Sequence, residues 1–359
     1  WACVWITAAG RFLTLFLGFS LFFRESGAGI WFILALLFVS AGLQSAGANI
    51  WIAWLSDLVP LRIRGRFFSR RNQIMMFASL IFSYILSFHV DLFEKAGSGF
   101  RAAYAAALGL QDLLTVQNQS WFLAIVFAGV TLLSLGGLVI LSRQPERKMQ
   151  QQASRKLREI FAEPFRDKNF RLLLIFGIWW MLAIGVGSAF WGPFMLKKLQ
   201  MGLFEVQLYS SLHVAASLLS LNLWGKFVDR FGNKTAMKIC VFLGGLNPLL
   251  WLFMTADNHI MLWFEALSSG SMWAGAGVVT TNFVLSIARK GSEQAYSGIY
   301  NAITGLSMMA STLLTGAFFP QAMHLGGLFL EPEQVVFGVG GVLRWFTIIP
   351  LMLVVEKRA

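Results

Sequence analysis

Ten predominantly apolar stretches, each about as long as a membrane-crossing helix, dominate this sequence. A helix needs about 20 apolar residues to cross the hydrocarbon core of a bilayer. Only 13% of the residues are charged, whereas soluble domains carry about 25%. We therefore predict an all-α polytopic membrane protein with ten transmembrane helices. The predicted spans are 4–23, 31–55, 73–91, 121–142, 171–196, 207–228, 236–255, 260–288, 295–319 and 335–355.

The formal net charge of +12 would fit a nucleic-acid-binding protein, but the positions of the charges favour another interpretation. Twenty-two of the 29 Lys and Arg residues fall in alternate connections, around 62–71, 143–171, 226–238, 289–290 and 357–358, and five fall in the others. This asymmetry is typical of cytoplasmic loops. It predicts a multi-pass protein of a bacterial cytoplasmic (inner) membrane, with a cytoplasmic C-terminus and no nucleic-acid partner.

The longest cytoplasmic connection, residues 143–170, is polar and separates four predicted spans from six. We predict a remainder of an N-terminal half at 1–142, a cytoplasmic linker at 143–170 and a C-terminal half at 171–359. A weak repeat supports two halves, because Ala-Gly-Ala recurs at 46–48 and 274–276 at an offset of 228 residues. Residues 92–120 form an extracytoplasmic insertion whose role the sequence leaves open.

The most specific motif is the short basic turn GKFVDRFGNK at 225–234, between two apolar segments. It resembles the signature loop of the major facilitator superfamily in Gly225, Asp229, Arg230 and Gly232, and it departs from the usual pattern at Asn233. The resemblance implies that superfamily's two-half helix bundle of twelve helices, of which the first two are expected to be missing here. The turn containing Arg64, Gly65 and Arg66 resembles the loop between the fourth and fifth helices of the family.

The resemblance also implies a conformational latch between the halves on the cytoplasmic face. We expect Gly225 to let a neighbouring helix approach closely and Gly232 to allow a tight turn. We expect Asp229 to be stabilised by a cation such as Arg230 and by the N-terminal end of a facing helix, the third span, which starts near Asn72. The alternative is an ordinary positive-inside loop with a helix-capping aspartate. The predicted latch residues are Gly225, Asp229, Arg230, Gly232, Lys234, Arg64, Gly65 and Arg66.

The superfamily binds its substrates near the midplane between halves, so polar and aromatic side chains at depth are the candidates. Interhelical packing or an aromatic belt is the alternative for each of them. Glu265 has two possible roles, carrying a coupling proton or binding a cationic solute, whereas Arg11 and Arg344 are interpreted as bundle support. The predicted pathway residues are Gln44, Asn49, Trp51, Tyr84, Trp179, Trp180, Trp191, His213, Glu265, Asn282, Tyr300 and Asn301.

Motifs of enzymes are lacking in this sequence. The four histidines show no metal-ligand spacing, and neither a Walker A sequence nor a G-x-S-x-G motif occurs. We predict a monomeric transporter, secondary active or facilitative, that moves a small solute by alternating access. It is expected to have lipid and solute as its partners, to lack cofactors and an ATP-binding site, and to use protons or another ion for any coupling. The alternatives are a transporter-like sensor or scaffold and an intramembrane enzyme.

Overall fold

The computed structural model describes residues 2–20, 27–58, 61–95, 99–109, 114–144, 157–288, 292–325 and 327–356. These residues are mostly helical, as their apolar composition predicts. They fall into two compact units, Trp1–Gln152 and Ala153–Ala359. The division lies within the predicted linker at 143–170.

Five helices form the first unit within its described residues. Helix α1 packs against both α2 and α5. Small residues allow the close approach to α2, since a Cβ atom at Gly47 would overlap the hydroxyl of Thr7. The Ser40 hydroxyl also donates a hydrogen bond to the carbonyl of Gly10 (2.8 Å). The helices are α1 (Ala2–Ser20), α2 (Gly27–Leu58), α3 (Leu61–Lys95), α4 (Gly99–Ala107) and α5 (Val116–Ser142).

The second unit contains the remaining helices and one small hairpin. Strand β1 (Met323–Leu325) pairs antiparallel with β2 (Leu328–Leu330). The helices are α6 (Leu157–Arg166), α7 (Lys168–Ser188), α8 (Trp191–Pro193), α9 (Leu203–Phe231), α10 (Asn233–Leu250), α11 (Met261–Ile287), α12 (Glu293–Ala317), α13 (Pro332–Phe346) and α14 (Ile348–Leu353). A π-helical turn at Phe194–Lys198 extends α8, and a 3₁₀ turn at Trp251–Phe253 extends α10.

Pairs of helices make the core of the second unit. Helix α9 packs along α11, α7 packs along α12, and α10 lies against α11 and α13. Glycines permit these contacts. A Cβ atom at Gly270 of α11 would overlap the main-chain oxygen of His213 in α9. A Cβ atom at Gly185 of α7 would lie 2.5 Å from the carbonyl oxygen of Met308 in α12. Large side chains such as Trp180 and Phe283 fill the space between.

A helix overlaps each of the ten predicted spans, yet the helices differ in how apolar they are. Within the described ranges, six helical stretches are both long and apolar enough to cross a membrane. The stretch in α1 is shorter, and α9, α11 and α12 carry more polar side chains. The number of membrane-spanning helices therefore stays a prediction. The six stretches are Gly29–Ala48, Ile74–Phe93, Asn118–Ser142, Lys168–Lys198, Asn233–Phe253 and Pro332–Leu353.

The motif turn between α9 and α10 is closed by the end of the chain. Gly232 has φ +86°, a conformation that glycine adopts freely, and this is the tight turn that the sequence predicts. The Glu356 carboxylate accepts hydrogen bonds from the main-chain N–H groups of Asn233 (2.5 Å) and Lys234 (3.2 Å), which open α10. The Lys234 ammonium donates to the carbonyls of Met352 (2.7 Å) and Val354 (2.9 Å). We call these contacts of residues 352–356 the C-terminal clasp.

Replacing Glu356 with alanine is expected to lower the free energy of unfolding by about 1–2 kcal/mol, because two N–H groups at the start of α10 lose their acceptor. Thermal unfolding of the purified protein in detergent measures this change. Val355→Ala is the control, because Val355 is 59% exposed and its hydrogen bonds, which join it to the Asn169 side chain, are made by its main chain. Equal unfolding temperatures for the two variants would contradict a stabilising role of the carboxylate.

Candidate functional site

A cavity of about 540 Å³ lies inside the unit Ala153–Ala359. Ligand pockets usually measure about 300–1,000 Å³, so this cavity is large enough for a small solute. Helices α7, α9, α10, α11, α12 and α13 contribute to its wall, together with the turns at Trp191 and Trp251. Its most polar lining side chains are Tyr209, His213, Asn247, Glu265, Ser269 and Arg344.

Glu265 supplies the carboxylate of this cavity and is only 5% exposed. Its Oε2 atom accepts a short hydrogen bond of 2.6 Å from the hydroxyl of Tyr209. The side chains of Ser269 and Trp251 also lie beside the carboxylate, although the indole N–H of Trp251 falls short of hydrogen-bond geometry. Helices α9 and α11 bring these groups together because they pack closely along their length.

Arg344 supplies the cation of the cavity and is also only 5% exposed. One terminal nitrogen donates to the main-chain carbonyl of Gly244 (3.0 Å), while Nε has no hydrogen-bond partner. Across the described residues, no carboxylate oxygen lies within the 4.0 Å limit of an ion pair with this guanidinium. Glu265 is the acidic group that acts on it electrostatically. The two charges therefore share one cavity without touching.

Two hydrogen bonds to serines fix the remaining polar side chains. The Ser268 hydroxyl donates to Oδ1 of Asn247 (2.8 Å), and the Nδ2 atom of this amide has no partner. Nδ1 of His213 lies 3.0 Å from the hydroxyl of Ser269, which joins α9 to α11. The cavity wall thus contains an amide donor without a partner and a histidine held in place.

Aromatic rings stiffen one wall of the cavity. Trp191 stacks on Phe337 with ring centroids 3.8 Å apart, and it meets Trp251 edge-on at 4.6 Å. Tyr209 also packs edge-on against Trp251, with centroids 6.0 Å apart. Because such packing holds each ring in one orientation, the wall is preformed.

Comparison with known proteins places these features in a family. The model of the Major Facilitator Superfamily matches residues 2–312, which is most of the chain. The chain belongs to the Major Facilitator Superfamily. It is accordingly a multi-pass integral membrane protein of a transporter family, as the motif at 225–234 predicts. No curated protein sequence matches the chain significantly.

Solved structures of transporters share the fold of this superfamily member. The nucleoside transporter NupG aligns with a TM-score of 0.66 at 14% identity, over 99% of this chain and 84% of that one. A bacterial homologue of the human lysosomal transporter Spinster, solved inward-facing and unoccupied, gives 0.55 at 16% identity, over 98% and 81%. At these identities the likeness supports the fold alone.

Three of the predicted pathway residues, Trp191, His213 and Glu265, line the cavity together. Asn282 lies apart from them, in a second and more open pocket beside Leu221 and Thr281. The structure therefore brings together only part of the set predicted for this half.

The other pathway candidates in this unit do not line the 540 Å³ cavity. Trp180 and Tyr300 are 2% and 3% exposed, so they pack in the core, which is the alternative that the sequence left open. Asn301 is exposed, and Trp179 is exposed with its indole N–H donating to the carbonyl of Leu343 (3.3 Å).

Among the pathway candidates of the first unit, Gln44 and Trp51 have described contacts within that unit. The Gln44 amide donates to the hydroxyl of Ser40 (2.9 Å), and the Arg71 guanidinium lies 4.4 Å from the ring centroid of Trp51. Tyr84 is half-buried. The side chain of Asn49 lies outside the described residues. A pathway role for these four positions stays a prediction.

The predicted latch is described on one side only, because the side chains of Arg64, Gly65 and Arg66 lie outside the described residues. Asp229 is exposed, and the Arg230 guanidinium lies over the ring of Phe231 (5.2 Å), so a partner for Asp229 stays a prediction. The expected close approach at Gly225 is also unsupported, since among the described residues nothing lies within 4 Å of a Cβ atom built there. Lys234 belongs instead to the C-terminal clasp.

The sequence-based prediction does not include several polar or aromatic residues of the cavity wall, among them Tyr209, Asn247, Trp251, Ser269 and Arg344. Arg344 was interpreted as bundle support, although a guanidinium deep in an apolar span is itself a signal of function. Asn247 stands next to Pro248 in mid-span, which is a second such signal. In the ranges described, no three His, Cys, Asp or Glu side chains group as a metal site would require.

Proposed function

We propose that this protein moves a small solute across a bacterial cytoplasmic membrane by alternating access, as a secondary active or facilitative transporter. The observation that carries the proposal is the cavity in which Glu265 and Arg344 stay buried and apart. Such charges are expensive inside a membrane protein and are characteristic of solute or ion pathways. Membership in a transporter family supports the same function.

The polar lining favours transport over the sensor or scaffold alternative. A protein that no longer moves solutes has no need to keep buried charges in its cavity, whereas this cavity retains Glu265, Arg344, His213 and Asn247. An intramembrane enzyme would require reactive groups clustered at one depth. The family membership makes that alternative the weaker one.

The proposed mechanism has two halves that rock around the bound solute, with the motif turn at 225–234 holding the closed cytoplasmic face. A gradient of protons, of another ion or of the solute itself drives the movement. The protein acts as a monomer in contact with lipid, has a cytoplasmic C-terminus and needs no ATP. The cavity of the C-terminal half contributes one side of the solute site.

Uptake into proteoliposomes tests the proposal. The protein is reconstituted and exposed to a mixture of amino acids, nucleosides and sugars, with and without an inward proton gradient, and the internal solutes are measured by mass spectrometry. Nucleosides are included because NupG, named as a nucleoside transporter, has a similar fold. We expect selective accumulation over protein-free vesicles. A protein that binds one of these solutes yet accumulates none would support the sensor alternative.

Replacing Asp229 with asparagine is expected to reduce uptake at least tenfold while the protein still inserts, since the latch requires the negative charge. Asp257→Asn is the matched control, because it removes a carboxylate from an exposed loop of the same unit. Unchanged uptake by the Asp229 variant, at equal amounts of reconstituted protein, would rule out the latch.

A further inference from the structure

Two unmatched charges in the cavity limit what it can bind. Glu265 and Arg344 are each 5% exposed and both line the cavity, but they do not form an ion pair with each other. An arginine cannot lose its charge in a protein, so Arg344 requires a source of negative charge in every state. A buried carboxylate equally requires a cation or a proton.

The polar groups of the cavity wall differ in their hydrogen bonding. One carboxylate oxygen of Glu265 accepts from Tyr209, and aromatic faces lie close by. The Nε–H group of Arg344 and the Nδ2 amide of Asn247 have no acceptor among the described residues, and both atoms are almost inaccessible. The cavity wall therefore carries a carboxylate beside aromatic rings and, separately from it, a guanidinium.

We propose that the cavity binds a small zwitterion with an apolar side group, the chemistry of an apolar α-amino acid. The inference rests on the proposed transport function and names the substrate class of the same site. The solute's ammonium group donates to the Glu265 carboxylate, and its carboxylate accepts from the Arg344 guanidinium. Both buried charges then gain an opposite charge.

The rest of the lining fits the apolar part of such a solute. Met181, Met272 and Met308 line the cavity with Trp191 and Trp273. Methionine side chains adapt to irregular apolar shapes, and aromatic faces attract an ammonium group as well as apolar surface. A side group of aromatic or branched aliphatic character therefore contacts the wall while the charged groups are held at the polar side chains.

Other charge types fit the cavity less well. A neutral solute such as a nucleoside gives neither buried charge an opposite charge in direct contact. A cation satisfies Glu265 alone, and an anion satisfies Arg344 alone. Since the fixed charges of Glu265 and Arg344 sum to zero, a zwitterion is the ligand that compensates both without adding net charge.

Binding of L-phenylalanine and three analogues tests the inference on the complete chain in detergent. The analogues are its methyl ester, a cation; N-acetyl-L-phenylalanine, an anion; and phenylacetamide, which is neutral. Uridine and glucose complete the set, and affinities are measured by thermal shift and by equilibrium dialysis. We expect the zwitterion to bind at least tenfold more tightly than each analogue, and L-leucine to bind as well.

Two substitutions test which protein side chain binds the ammonium group of the ligand and which binds its carboxylate. In Glu265→Gln, the preference for L-phenylalanine over its N-acetyl derivative should fall at least tenfold, because the ammonium partner is removed. In Arg344→Lys, the preference over the methyl ester should fall instead, since lysine lacks the guanidinium fork. Arg171→Gln, at an exposed position of α7, is the control and should keep both preferences.

The outcomes separate this inference from the proposed function. Preferential binding or uptake of uridine or glucose, with none of the zwitterions, would overturn the inference and leave transport intact. Binding of L-phenylalanine in preference to its methyl ester and its N-acetyl derivative, without uptake into proteoliposomes, would support the inference and contradict transport. Equal affinity for L-phenylalanine, its ester and its N-acetyl derivative would overturn the inference.

Discussion

Replacing Gly270 with alanine is expected to disrupt the C-terminal unit more than any other single methyl group added to it. The new Cβ atom would overlap the main-chain oxygen of His213 and would lie 3.0 Å from the Cβ atom of Ala216, so α9 and α11 must separate. These two helices pack along each other and hold Tyr209 against Glu265. We expect the free energy of unfolding to fall by roughly 3 kcal/mol, the upper range for overpacking.

Gly277→Ala provides the matched control on the same helix. At Gly277, nothing described lies within 4 Å of an added Cβ atom, and alanine favours helix over glycine by about 1 kcal/mol. The two variants should therefore change stability in opposite directions, as measured by thermal unfolding in detergent. A Gly270→Ala protein that unfolds at or above the wild-type temperature would show that α9 and α11 can separate at little cost.

The membrane class and the helix positions could be predicted from the sequence because both depend on local composition. A long run of apolar residues directly indicates a segment that lies in lipid. A helix overlaps every span that was predicted in this way. The family was predictable because the glycines and charges of the turn at 225–234 have a fixed spacing. The confirmed turn at Gly232 shows that this part of the motif has a local backbone cause.

The cavity was harder to predict because depth along a span does not define the direction in which a side chain points. Trp180 and Tyr300 stand at plausible depths but face the core, whereas Trp191 and Glu265 face the cavity. Arg344 belongs to a span expected to support the bundle, and its access to the cavity depends on the packing of α10 and α13. The helix rotations that decide these cases result from long-range contacts.

The polar helices and the cavity have one physical origin. Helices α9 and α11 are not among the six stretches that are long and apolar enough to cross a membrane, and they carry Tyr209, His213, Glu265 and Ser269 into the cavity wall. These side chains are hydrogen-bonded to one another across the helix pair, which compensates the cost of burying them. Helices α9 and α11 therefore contribute four of the six most polar side chains that line the cavity.

A double-mutant cycle on Glu265 and Arg344 is expected to show that the two charges stabilise each other across the cavity. Glu265→Gln leaves the guanidinium without its acidic counterpart, and Arg344→Met leaves the carboxylate without its cation. Removing one member of a buried charge pair costs about 3–5 kcal/mol when the two groups are in contact. Because these two are more than 4.0 Å apart, we expect less, about 2–3 kcal/mol for each single variant.

The double variant decides between coupled and independent charges. Since neither charge is then left alone, its loss of stability should be smaller than the sum of the two single losses by about 1–3 kcal/mol, a coupling typical of interacting residues. Pairing Arg344→Met with Asp257→Asn on an exposed loop is the control, and that pair should be additive within about 0.5 kcal/mol. Additivity in the Glu265–Arg344 cycle would mean that the carboxylate is neutral in the empty protein. In that case the zwitterion's ammonium group would have to displace a proton, and binding of L-phenylalanine would release one proton into a weakly buffered solution.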